Sequence, residues 1–128
     1  MFLKSNFIKI SLYILPFISF YISLYQLNHQ YDGHHHGVIF SISEDLLSGK
    51  LIYKDFYPHY GISFIIINSL FIKIFFGSIY GTYFFISLTK GITFLFFGLI
   101  INKMFDEKIA ISSMLILFFL HPFVGTPF

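Results

Sequence analysis

The chain has 128 residues, 56% of them hydrophobic and 11% charged, with a mean hydropathy of +0.79 and a formal charge of +2. An ordinary soluble domain carries about 25% charged residues, so this composition has no polar coat with which to face water. The absence of cysteine excludes disulfides, thiolate metal sites and cysteine nucleophiles. The scattered lysines, never blocked together among aromatics, point away from a nucleic-acid partner.

Apolar residues come in long runs, which require an apolar solvent. The first run, 7–27, is long enough to cross ~30 Å of hydrocarbon at about 1.5 Å per residue. Lys4 and Lys9 precede its stretch 10–27, but no small-x-small cleavage site follows, so it reads as a retained membrane helix and not as a signal peptide. Pro16 lies inside it and predicts a kink, which neighbouring helices can accommodate.

The one substantial polar stretch is 28–60. It opens with Tyr31-Asp32-Gly33-His34-His35-His36-Gly37. Residues 38–48 then predict a short amphipathic helix. At about 100° per residue, Ser41, Glu44, Asp45 and Ser48 share a polar arc, Ser43 is the exception among the apolar remainder, and Gly49 stops the helix. Such a helix lies along a membrane interface. Tyr53, Tyr57 and Tyr60 suit the headgroup level, and Pro58 holds Tyr57 extended.

Three more apolar runs follow, at 62–76, 79–101 and 109–124. The expected fold is therefore all-α and transmembrane, a single region over 1–128 with three full helices, a partial fourth and an outward loop carrying an interfacial helix. The fourth run is uninterrupted only over 109–120, about 18 Å, before His121-Pro122. That shortfall predicts the N-terminal portion of a longer protein, whose remaining helices complete the unit. Lys4 and Lys9 place the N-terminus in the cytoplasm and residues 28–60 outside.

Within the loop, an extended backbone over 32–36 would put Asp32, His34 and His36 on one face. A carboxylate with two imidazoles is a plausible set for a divalent metal, Zn²⁺ or Mn²⁺; a solvated histidine run that binds nothing is the plain alternative. Lys90 is the one charge deep inside an apolar run. Mid-bilayer burial costs ~2.5–3.5 kcal/mol on insertion scales, so it should face protein or water. Asn68 is placed to hydrogen-bond between helices. Gly77 and Gly81 form a GxxxG pair, but at a helix boundary.

A membrane helix, an Asp in the first outward loop, an amphipathic helix ending Leu46-Leu47-Ser48-Gly49-Lys50, then Tyr53-Lys54-Asp55-Phe56 and Tyr60-Gly61 form a recognisable order. It resembles the N-terminal part of the polytopic C-type glycosyltransferases, which use polyprenyl-phosphate sugars and are bacterial relatives of protein mannosyltransferases. The resemblance implies a multi-pass enzyme of the bacterial inner membrane that moves a sugar from a lipid-linked donor to a cell-envelope acceptor. It implies Asp32 as catalytic base or metal-associated carboxylate. His35, Lys50, Lys54 and Lys90 are the expected phosphate contacts, with Asp55 and Tyr60 supporting the loop. A divalent metal (Mn, Zn or Mg) on Asp32, His34 and His36 is the expected cofactor. Where that family often carries a second acidic residue, histidines stand here, as in an Asp-x-His-His branch. Two other classes compete: a divalent-metal transporter or sensor using His34–His36, and a small non-catalytic membrane protein acting through helix contacts.

Overall fold

The computed structural model describes residues 2–29 and 34–124, with side chains over 10–29 and 34–120. The described residues form five helices in chain order: α1 (Phe2–His29), α2 (His35–Leu47), α3 (Ile62–Ile74), α4 (Tyr80–Met104) and α5 (Glu107–Val124). Among them there is no strand; an isolated bridge joins Ile52 and Phe56. The expected all-helical class is what forms.

Each boundary has a local cause. α1 continues through Pro16, although that ring removes an N–H from the helix ladder. α2 ends in a Schellman motif: Gly49, at φ +88°, donates its N–H to Leu46 O, and Lys50 donates to Asp45 O. α3 ends the same way, with Phe76 N–H on Lys73 O and Gly77 N–H on Ile72 O. There Phe76 itself adopts φ +56° where glycine is usual. α5 starts at Glu107, two residues before the expected 109, because Asp106 caps it: its Oδ1 accepts the Ile109 N–H at 2.8 Å.

These boundaries correct the expected span lengths. α3 has 13 residues, about 20 Å, short of the ~30 Å of a hydrocarbon core. α5 runs over 18 residues, about 27 Å, ending at the expected 124 and beginning two residues before the expected 109. Two helices are long and apolar enough to cross a membrane, α1 over Ile10–His29 and α4 over Tyr80–Met104.

The chain divides into two compact units, Met1–Ile22 with Thr89–Phe128, and Ser23–Leu88. The first is built on Leu12, Ala110 and Met114, against which Leu15, Phe94, Phe97, Ile101 and Ile111 pack. Two glycines of α4 let its neighbours close in. A Cβ on Gly91 would sit 3.1 Å from Phe20 Cβ and 3.3 Å from Pro16 O, and one on Gly98 would collide with Met114 Sδ. Small residues allow this approach between membrane helices.

The second unit is centred on the α3–α4 hairpin. A Cβ on Gly81 would lie 2.7 Å from Phe71 O and 2.8 Å from Ile72 N, so the two backbones touch there. Gly77, at φ +79°, makes the turn. The GxxxG pair thus serves this chain's own hairpin. Phe64 and Phe71 clasp Phe85 at ring distances of 5.0 and 5.3 Å.

α2 packs on α3 through a buried polar contact. Asn68 Nδ2 donates to Ser43 Oγ at 2.8 Å and to Thr82 Oγ1 at 3.2 Å, while Ser43 donates to Ile39 O. Ser43, the one polar residue out of place on the amphipathic pattern, is therefore the residue that faces α3. His35 meets Tyr60 eight residues earlier on each side. Because the two contacts advance together, α2 and α3 do not form an antiparallel pair.

Candidate functional site

The N-terminal end of α2 gathers most of the sequence-predicted chemistry. His34 is the N-cap residue, at φ −75° and ψ −61°, and gives no side-chain cap. The first N–H groups of a helix lack partners in the ladder and attract anions. The His34 and His35 rings meet edge to face at 5.1 Å. His35 Nδ1 and the Tyr60 hydroxyl are hydrogen-bonded at 2.9 Å, which ties the histidine run to the residue preceding the α3 cap. His36 turns the other way and stands edge-on to the buried Tyr83 at 5.8 Å.

The backbone at 34–36 is helical, not extended. Side chains two apart on a helix diverge by about 200°, so the single face assumed for His34 and His36 does not exist. The described residues therefore do not fit one ion shared by these two imidazoles, and among them no group of three His, Asp or Glu side chains converges. Asp32 lies outside the described residues.

The lysines divide. Lys50 pairs with Asp45 at 2.6 Å, both at the surface. It follows the last turn of α2, about 20 Å of helix away from His35, so the two do not form one phosphate grip. Lys54 is exposed on the connection between α2 and α3. Lys90 belongs to the first unit, whereas the histidines, Lys50 and Lys54 belong to the second.

Asp55 organises that connection. Its Oδ2 accepts the Leu51 N–H at 2.8 Å, and its own N–H donates to Leu51 O at 2.9 Å. Tyr53, at φ +66°, sits inside the resulting turn and donates its N–H to Phe56 O. An exposed ring ladder runs from Tyr53 to Tyr57 to His59 in steps of 5.5 Å. Sequence reasoning missed Tyr83 and Thr82, whose signal was only their place one turn into α4, beside the glycine that brings α4 onto α3.

No protein-family model, curated protein or solved structure matches this chain.

Proposed function

We propose that this chain is a multi-pass protein of the bacterial inner membrane, N-terminus in the cytoplasm, and that residues 28–60 form the donor-handling end of a lipid-linked glycosyltransferase. The observation that carries the membrane reading is the large apolar surface the helices turn outward, with small polar residues buried among the apolar ones. Buried positions include Ser23, Ser43, Asn68, Ser69, Thr82 and Ser87, while α1 turns Tyr13, Phe17, Tyr21 and Tyr25 outward and α5 turns out Ile116 and Phe119. In water that arrangement wastes apolar area at roughly 25 cal/mol per Å². In a bilayer it costs nothing on the outside, and the hydroxyls and amide serve as contacts between helices.

The transferase reading rests on the α2 N-terminus. A departing polyprenyl phosphate is an anion, and the positive end of the α2 dipole, with the His34 and His35 rings beside it, would favour negative charge at that point. Tyr60 holds His35 and so fixes the ring that would meet the phosphate. Asp32, two residues before His34, is the proposed base for the acceptor hydroxyl. Proton transfer to a positioned carboxylate is worth ~10²–10⁴-fold.

The test is sugar transfer from a radiolabelled polyprenyl-phosphate donor in membranes containing the protein. Asp32→Asn is expected to lower transfer at least about 100-fold with membrane insertion unchanged. Tyr60→Phe, which removes the hydroxyl from His35, is expected to lower it about tenfold. Transfer retained in Asp32→Asn would remove this chemistry from the loop.

A further inference from the structure

Lys90 is the one charge of the chain within a span long and apolar enough to cross a membrane and distant from both of its ends. It lies ten residues after Tyr80 and fourteen before Met104, about 15 Å and about 21 Å along α4. The helix is about 37 Å long against a core of ~30 Å, which leaves Lys90 more than 10 Å below the nearer boundary. An extended lysine side chain reaches about 6 Å, built from bonds near 1.5 Å, so it cannot bring its ammonium to the headgroups.

Among the described residues no side chain neutralises it. Lys90 is half-buried and makes no hydrogen bond or ion pair among the described residues. The six acids are Asp32, Glu44, Asp45, Asp55, Asp106 and Glu107, none of them inside α1, α3 or α4. Asp106 and Glu107 belong to the same unit as Lys90 but lie beyond the far end of α4. On the helix surface Lys90 borders a strip that faces outward through Ile92, Thr93, Phe96 and Ile100. It is thus a cation at the edge of an exposed apolar face, at a depth where a charge is costly unless it faces protein or water or meets a partner.

We infer that Lys90 and this strip of α4 are the docking site for a membrane helix that carries an aspartate or glutamate at mid-span. The inference rests on the membrane reading above, though not on the glycosyl transfer. Charge complementarity selects the partner: the strip supplies apolar contact for a helix face, and the ammonium supplies the one polar group that its carboxylate needs.

The full chain, fluorescently labelled, is reconstituted in phosphatidylcholine vesicles with a leucine–alanine peptide about 20 residues long. The peptide carries Asp, Asn or Leu at its centre, and association is read by energy transfer. The Asp peptide is expected to bind roughly tenfold more tightly than the Leu peptide, with Asn between, as interhelical polar contacts of this kind allow. Lys90→Leu is expected to erase the ranking. Moving the cation, with Ile92→Lys added to Lys90→Leu, is expected not to restore it. Equal binding of the three peptides by the native chain overturns the inference, and so does a ranking that survives in either variant. Membrane integration is read separately by alkaline extraction. A native chain released there overturns the membrane reading, whereas an integrated chain indifferent to the Asp peptide overturns only the docking site.

Discussion

Asn68 is fully buried midway along α3, and its amide donates to hydroxyls on α2 and α4 at once. Its Oδ1 has no hydrogen-bond partner among the described residues. Turning the amide over would set that oxygen toward the hydroxyls and strand two N–H donors instead, so the present orientation is the cheaper one. The contact with Ser43 is expected to show a coupling of ~0.6 kcal/mol and up to ~1.7 kcal/mol in a double-mutant cycle of Ser43→Ala and Asn68→Ala, read by unfolding in mixed micelles. A coupling of zero would mean that α2 is held to α3 by apolar contact alone. The sequence made Asn68 conspicuous, since a lone amide in an apolar run needs a partner. It did not name Ser43, because a serine misplaced on an amphipathic arc looks like noise until the second helix is present.

Among the elements, α2 and the α3–α4 hairpin were legible for different reasons. Apolar spacing with Gly49 after it marked α2 and its stop, since a left-handed C′ position strongly favours glycine. The end of α3 was less readable: the left-handed residue is Phe76, almost wholly exposed at 99%, and the glycine comes one position later. An aromatic at that position conceals the stop, because the apolar run itself continues to 76. At the start of α5, Asp106-Glu107 carries a cap and first-turn signal that apolar periodicity alone does not register. The histidines are the larger miss. A run flanked by glycines suggests an extended segment, yet α2 begins at His35, and helical geometry separates the rings that an extended chain would align.

The hairpin gives an element-scale prediction. Gly81→Ala places a Cβ against the backbone of Phe71 and Ile72, atoms that cannot rotate away, so α4 must move off α3. Overpacking of this kind typically costs 1–3 kcal/mol, or about that range here. Gly77→Ala meets no atom within 4 Å and is penalised by its positive φ alone, at roughly 1 kcal/mol. Thermal unfolding in detergent should therefore rank Gly81→Ala below Gly77→Ala. The opposite order would show that the close approach of α3 and α4 is not what holds the hairpin.

For the whole molecule, composition alone pointed to a bilayer, and the outward-facing aromatics of α1 with the buried hydroxyls of the second unit agree with that. What composition could not supply is which segments cross. α3 is the decisive case, since its 13 residues cover only about two thirds of a ~30 Å core. A helix this short crosses only if the bilayer thins around it, at fractions of a kcal/mol per Å, or if one end opens into a protein-lined recess. Its flanks still differ in the sense the proposed topology requires: Lys73 lies in the last turn, and the Tyr53–Tyr57–His59 ladder lies before the first. The chain has no cysteine, so single cysteines report without background. His59→Cys and Phe76→Cys mark the two ends of α3, and both native side chains are exposed. With residues 28–60 outside, an impermeant maleimide added to intact cells should label His59→Cys and should reach Phe76→Cys only after the membrane is opened. The reverse pattern would invert the orientation while keeping α3 as a span. Labelling of both in intact cells would place the two ends of α3 on one side, and α3 would then lie along that face of the membrane without crossing it.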